Sequence, residues 1–255
     1  MVYEMRREME TKTVANVGFY CAILTALLTV LSFVIAFLTP PLSGPFCTGG
    51  CFTYPYSDIA SRFPRDYYWM YPAMVLNVVY YVLMVAIHYF APVEKKIFSH
   101  IGISFAFLSM ASFVIDYFLQ VSVIQPSLVL GETDGIALLS QFNAHGVFIV
   151  LEEIAFIMMS MSMLCMAPVF VGQTKSEKAL RWIFTGDFVL TAVSFALFTV
   201  FYGIFREYRF EVAAFSINWL QLISSGILLS IVFRRAMADS LLAQKAVLSP
   251  QNASS

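Results

Sequence analysis

Six long apolar segments limit what this chain can fold into. Each is long enough, at about 20 residues or more, for an α-helix to cross a hydrocarbon core of about 30 Å. Strands of a membrane β-barrel are shorter and alternate between polar and apolar residues, which these segments do not. The sequence therefore predicts an all-α, polytopic membrane bundle with six transmembrane helices, at Val17–Leu38, Tyr68–Phe90, Ile101–Ile124, Gly146–Val171, Trp182–Phe205 and Ala213–Phe233.

The composition agrees with a membrane protein. Hydrophobic residues make up 60% of the chain and charged residues 12%, whereas soluble domains are roughly half apolar and a quarter charged. The net charge of −1 provides no basic field, so we expect no nucleic-acid partner. The expected partner is the lipid bilayer, and the expected ligand, if the chain binds one, is a small molecule or lipid. We expect one domain at 1–235 and a cytoplasmic tail at 236–255.

The positions of the basic residues predict the orientation of the bundle. Of the 15 Lys and Arg residues, eleven lie at the end of the predicted bundle where the chain begins, and the other four are Arg62, Arg65, Arg206 and Arg209. Cytoplasmic loops of membrane proteins carry the excess of Lys and Arg. We therefore expect a protein of the cell membrane with both termini in the cytoplasm.

The first extracytoplasmic loop contains the sequence Cys47-Thr-Gly-Gly-Cys51. Outside the cytoplasm two cysteines at this spacing can form a small disulfide, because Gly49 and Gly50 permit the tight turn. A zinc site is not expected, since no second pair of Cys or His accompanies these two. The sequence indicates no cofactor and no metal.

Two adjacent glutamates, Glu152 and Glu153, interrupt the fourth apolar segment. A carboxylate near the centre of a spanning helix costs about 2.5–3.5 kcal/mol on insertion scales, so such residues are usually paired or functional. The two differ by about 100° around the helix, and we expect one to face the interior and the other a neighbouring helix or a cavity. A buried carboxyl without a counter-charge favours its protonated form. The available counter-charges are Arg206 or Arg209, and Arg62 or Arg65.

Polar side chains lie at a similar depth in four of the six segments. At 1.5 Å per residue, they are about 8 to 14 Å from the extracytoplasmic ends of the segments. We therefore predict an outward-facing polar pocket, with the ligand- or proton-binding candidates Glu152, Glu153, Asp116, Gln120, His145, Asn77, Asn218, Gln221 and Arg206. Asp187 is placed in the first turns of the fifth helix, where the helix dipole tolerates a carboxylate.

Three interpretations of this cluster are open. The first is binding, or proton-linked transport, of a small molecule or lipid headgroup. The second is a membrane-embedded enzyme in which His145 and Glu152 or Glu153 form an acid–base pair, although the chain lacks the common hydrolase, metalloprotease and phosphate-loop motifs. The third is a structural or partner-binding protein in which the polar groups only fix helix packing, with contacts worth on average well under 1 kcal/mol.

Three short motifs support a family resemblance. They are Asp66-Tyr-Tyr-Trp-Met-Tyr-Pro72, His145-Gly-Val-Phe-Ile-Val-Leu-Glu-Glu153 and Arg206-Glu-Tyr-Arg-Phe-Glu-Val212, which occur in this order between apolar segments. With them the chain resembles an uncharacterised family of six-pass prokaryotic integral membrane proteins, from the first segment to Arg235. The resemblance implies a fold and a location, and it assigns no catalytic residue.

Overall fold

Helices form most of the structure, a computed structural model that describes residues 2–39, 41–172 and 174–248 and, between 11 and 242, their side chains. The described residues contain no strand. Their α-helices are α1 (Val2–Phe37), α2 (Met70–Phe90), α3 (Lys96–Leu119), α4 (Gln125–Leu130), α5 (Ile136–Leu139), α6 (Val147–Met166), α7 (Lys175–Tyr202) and α8 (Glu207–Leu248).

Six of the helices in the described part of the chain are long and apolar enough to span a membrane: α1, α2, α3, α6, α7 and α8. This confirms the predicted fold class, an all-α bundle with six candidate membrane helices. Because the number is even, α1 begins at the same end of the bundle as that to which α8 descends. We call this the terminal end, and the opposite end, which carries Cys47 and Cys51, the disulfide end.

Four helices, α1, α3, α7 and α8, begin earlier than the hydropathy pattern predicts, and the last two show why. The fifth predicted segment starts at Trp182, but α7 starts at Lys175, because the side chain of Thr174 accepts a hydrogen bond from the backbone N–H of Glu177 at 3.2 Å and caps the helix. The sixth predicted segment starts at Ala213, but α8 starts at Glu207. Charged residues in a first turn end an apolar segment without ending a helix.

The last helix also continues further than predicted. α8 passes Phe233 without a break and runs to Leu248, so it includes the first part of the predicted tail. Residues 249–255 of that tail lie outside the described residues. The placement of Asp187 was wrong, since it is about 18 Å from the start of α7 at 1.5 Å per residue, well beyond the first turn where the helix dipole acts.

Close packing of small residues joins α1 to α8. A Cβ atom added to Gly226 of α8 would lie 2.8 Å from the carbonyl oxygen of Ala22 and 3.0 Å from the Cβ of Ala26. Small residues at such a crossing let two spanning helices approach backbone to backbone. α1 also packs on α2, α3 packs on α6, and α7 packs on α8 and α6.

Loop segments cover the disulfide end of the bundle. Cys47 and Cys51 form a disulfide, with their Cα atoms 5.9 Å apart. At the same end of the bundle, α3 continues through a π-helical turn at Gln120–Ile124 into α4. The Gln120 side chain donates to the carbonyl of Leu139 at 2.6 Å and accepts from the N–H of Gln141 at 3.1 Å. Gln120 thus fastens the loop between α5 and α6 to the top of α3.

Candidate functional site

The two adjacent glutamates of α6 are both buried and have different partners. Oε1 of Glu152 accepts a hydrogen bond from the hydroxyl of Tyr117 at 2.7 Å. Oε2 of Glu153 accepts from Nη1 of Arg206 at 3.0 Å, and its Oε1 from the same nitrogen at 3.3 Å. Their different directions follow from the offset of about 100° between successive residues of a helix.

Glu152 is also hydrogen-bonded to a third glutamate, Glu211 of α8. A carboxylate only accepts hydrogen bonds, so a bond between two carboxyl groups requires a proton on one of them. A hydrogen bond within this pair therefore needs at least one bound proton. Asp116 of α3 lies within electrostatic range of Glu152, is 1% exposed, and its Oδ2 has no hydrogen-bond partner within the described part of the chain.

Arg206 is the counter-charge of Glu153. Its guanidinium carbon lies 4.7 Å from the centre of the Phe195 ring, so the cation is held between a carboxylate and an aromatic face. Glu153 is 6% exposed and Arg206 24% at the side chain, which makes this a largely desolvated ion pair. Removing one member of such a pair leaves an uncompensated charge. Arg62, a second predicted counter-charge, pairs instead with Asp66 at 2.8 Å.

The structure does not place His145 beside the glutamates. α6 begins at Val147, so His145 lies before the helix and does not share a helical face with Glu152. Its Nδ1 is 3.4 Å from Oε1 of Glu207, and its side chain is 59% exposed. The acid–base pair of His145 with Glu152 or Glu153, on which the enzyme interpretation depends, is therefore not formed.

Four other candidates bond locally and do not join the carboxyl cluster. Gln120 holds the loop described above. The side-chain amides of the other three donate within their own helix or to its neighbour: Asn77 to Ala73, Asn218 to Ala214 and Thr191, and Gln221 to Ser225. Their hydrogen bonds do not join these residues to the carboxyl groups, because equal depth in the membrane does not fix the direction in which a side chain points; their role as binding candidates stays a prediction.

A cavity of about 420 Å³ lies beside the carboxyl cluster at the disulfide end. Its walls come from the end of α1, the loop between α1 and α2, the loop before α6 and the first turns of α8. Most of the lining is apolar, whereas a polar pocket was predicted; the apolar part includes Phe33, Leu42, Phe46, Trp69, Phe142 and Phe215.

Among the described residues that line this cavity, two carry carboxyl groups, Asp66 and Glu211, and none is Lys, Arg or His. Glu152 and Glu153 are not among the lining residues. Glu152 interacts with Glu211, which does line the cavity. The cavity therefore combines an apolar body with acidic groups on its wall, which is the usual composition of a site for a cationic or hydrogen-bond-donating ligand.

Glu211 is the central residue that sequence reasoning missed. It precedes the predicted start of the sixth segment at Ala213, so it was not among the polar residues considered within the segments. A signal was present: Glu211 and Asn218 are seven residues apart and share one helical face with Phe215, as they would if the helix began earlier. Tyr117, the donor to Glu152, carries no such signal, because a tyrosine in an apolar segment is usual.

Comparison with known proteins yields no relative. No family model, no curated protein and no solved structure matches the chain. The resemblance to a six-pass prokaryotic family stays a prediction. The function is therefore inferred from the residues of the site.

Proposed function

We propose that the protein binds a small amphiphilic amine in the cavity at the disulfide end, in exchange for the proton held by Glu152 and Glu211. The observation that carries this proposal is the position of Glu211. Its carboxyl group is part of the cavity wall and is hydrogen-bonded to a second, buried carboxyl, and no basic residue lines the cavity. Proton-linked transport of the same ligand is the finer form of this proposal.

The apolar walls supply the other half of the recognition. Phe33, Trp69, Phe142 and Phe215 present aromatic surface to the cavity. Aromatic faces pack against an apolar ligand body and also attract a nearby cation. The volume of about 420 Å³ lies within the range of roughly 300–1,000 Å³ that is usual for small-molecule sites.

The proton gives the proposed binding a defined pH dependence. An ammonium group that pairs with Glu211 replaces the positive charge of the shared proton, so binding releases a proton and is favoured at higher pH. The released proton is assigned to this pair alone. The titratable and charged groups that face the pair keep their protonation states on binding; they are Asp116, Tyr117, Glu153 and Tyr208. Arg206 does not compete, since Glu153 holds it.

We also propose the orientation that the basic residues predict, with the disulfide end outside the cell and both termini in the cytoplasm. In that orientation the cavity opens on the extracytoplasmic side. The Cys47–Cys51 disulfide supports it, because disulfides persist outside the reducing cytoplasm.

The test uses three probes of one shape and different charge: 4-phenylbutylamine, 4-phenylbutanol and 4-phenylbutyrate. Titration calorimetry on the purified protein should show binding of the amine, binding of the alcohol weaker by about tenfold or about 1.4 kcal/mol, and no binding of the acid. The amine affinity should rise from pH 6 to pH 8, up to about tenfold per pH unit for one released proton. Equal binding of amine and alcohol would contradict the proposal.

Two matched variants place the binding at the cavity. Glu211→Gln should weaken amine binding by at least about tenfold and remove its pH dependence. Glu207→Gln, on the same helix but paired with the exposed His145, should leave both unchanged. Nanodiscs with phosphatidylethanolamine or phosphatidylcholine then separate two sources of the amine: loss of probe binding only with phosphatidylethanolamine identifies a lipid headgroup, and no difference identifies a free amine.

A further inference from the structure

A second polar cluster lies in the middle of the bundle. At its centre Asp187 of α7 is 3% exposed, and neither of its carboxyl oxygens has a hydrogen-bond partner in the described part of the chain. Tyr80 of α2 lies within electrostatic range of Asp187 and near Ser162 of α6, and the hydroxyls of Tyr80 and Ser162 are also buried without a hydrogen-bond partner among the described residues. Ser162 is ten residues along α6 from Glu152, which is about 15 Å, so this cluster is separate from the carboxyl groups near the cavity.

The last helix adds an oxygen next to this cluster. Asn218 of α8 is fully buried, and its side-chain nitrogen donates to Thr191, one turn along α7 from Asp187, at 3.3 Å and to Ala214 at 2.9 Å. With both N–H groups used, its Oδ1 remains without a hydrogen-bond partner within the described residues. Four helices therefore carry buried oxygen atoms without hydrogen-bond partners, among the described residues, in this part of the bundle.

The cluster has an excess of acceptors over donors. Asp187 and Asn218 contribute three oxygens that only accept, and the hydroxyls of Tyr80 and Ser162 are the nearby donors. The ion pairs found among the described residues do not include Asp187. An isolated buried carboxylate is too costly to persist, so the cluster requires a positive charge or a proton.

The available oxygens match a small hard cation. Carboxylate, hydroxyl and amide oxygens are the ligands that hard cations bind. One carboxylate balances one positive charge, which favours a monovalent ion. The described residues contain no group of three or more His, Cys, Asp or Glu that could hold a metal ion, so a divalent or transition metal does not fit.

We propose that Asp187, Tyr80, Ser162 and Asn218 form a binding site for a monovalent cation of the Na⁺ class. The ion would connect α2, α6, α7 and α8 at mid-bundle, below the cavity and independent of it. Binding would stabilise the folded bundle, because the unfolded chain does not hold these four oxygen groups together.

Thermal unfolding of the purified protein at pH 7.5 tests the site. NaCl and choline chloride are compared at equal concentration, so that ionic strength is constant. The midpoint should rise with NaCl to a plateau and stay constant with choline. Asp187→Asn should abolish the Na⁺-dependent rise, and Ser162→Ala should raise the half-saturating Na⁺ concentration at least threefold. Asp239→Asn, which removes an exposed carboxylate of α8, should respond as the unmodified protein does.

Three results would overturn the proposal: equal midpoints in NaCl and choline chloride, a Na⁺ response that survives in Asp187→Asn, or a midpoint that rises only on lowering the pH. The last result would mean that Asp187 takes up a proton and no cation. If Asp187→Asn does not fold, the salt series on the unmodified protein and on Tyr80→Phe and Ser162→Ala remains decisive.

Discussion

Two neighbouring carboxyl groups can have opposite electrostatic roles. Glu152 contacts a second carboxyl group, that of Glu211, next to the cavity, whereas Glu153 forms an ion pair with Arg206. The hydrogen bond of the first pair depends on a bound proton and is lost when both carboxyl groups are ionised. The second holds α6 to the start of α8. We therefore expect substitutions at the two positions to affect different properties of the protein.

A double-mutant cycle tests the structural role of Glu153. Glu153→Gln and Arg206→Met should each lower the free energy of unfolding by about 2 kcal/mol, because each leaves the other charge largely buried. Together they should cost less than the sum, with a coupling of about 1–2 kcal/mol. Unfolding in mixed detergent micelles measures all four free energies.

The exposed pair of His145 and Glu207 is the control for this cycle. The same measurements on His145→Gln and Glu207→Gln should give a coupling below about 0.5 kcal/mol, as for other exposed pairs. If both cycles gave the same coupling free energy, burial would not strengthen the Glu153–Arg206 pair, and the expected structural role of Glu153 would be contradicted.

At the level of single residues, the sequence predicted how deep a polar residue lies in the membrane better than it predicted the direction of its side chain. Glu152, Glu153 and Arg206 were selected because a charge in an apolar segment is costly, and that cost does not depend on the fold. Asn77 and Asn218 were selected by depth alone, and depth does not distinguish a side chain that bonds to its own helix from one that faces a cavity. Predicting the role of Glu211 would have required the residue at which α8 begins, and a hydropathy pattern does not give that residue.

At the level of whole elements, the contact between α1 and α8 is closest where Gly226 lacks a side chain. The Cβ that Gly226 lacks would meet backbone and Cβ atoms of α1, none of which can rotate away. By contrast, Gly186 of α7 has open space around the position of its missing Cβ. These two glycines form a natural pair for measuring the energy of helix packing.

Gly226→Ala should destabilise the bundle by about 1–3 kcal/mol, since an added methyl group forces α1 and α8 apart. Gly186→Ala should have no effect or stabilise the protein by up to about 1 kcal/mol, because alanine favours a helix and meets nothing there. Unfolding free energies in the same micelles give both values. A loss of stability in both variants would indicate that helix propensity, and not contact between α1 and α8, decides the result.

The existence of the helices was predictable, and their ends were not. A run of about 20 apolar residues forces a helix in a membrane, since every backbone polar group must be bonded internally. The ends depend on local chemistry such as the Thr174 cap of α7. The π-helical turn at Gln120–Ile124 comes just before Pro126, which lacks the N–H for a helical hydrogen bond, so the proline indicates a disturbance there but not its form.

On the scale of the whole molecule, the predicted orientation depends on the Lys and Arg residues, most of which lie at the terminal end of the bundle. The bundle has its disulfide at one end, while the helices at the other end carry most of the basic residues. The proposed orientation therefore has a direct chemical test.

A membrane-impermeant maleimide should label Cys47 and Cys51 on intact cells, but only after an impermeant reductant has opened their disulfide. Cys21 and Cys165 are replaced by Ala in this experiment. A single cysteine at Lys178→Cys, at the terminal end, should be labelled only when the cells are opened. Labelling of Cys47 and Cys51 only in opened cells would reverse the proposed orientation.

The last helix, α8, is longer than a bilayer is thick. Its 42 residues extend over about 63 Å, whereas a bilayer with its headgroups is about 40–45 Å thick, so the helix projects into water at the terminal end. Glu211, at the cavity, and Asp239, near the projecting part, are about 42 Å apart along one continuous rod. A tilt of about 5° around its middle would move each of these points by roughly 2 Å in opposite directions. Any tilt of α8 would therefore couple the position of Glu211 at the cavity to that of the projecting end of the helix.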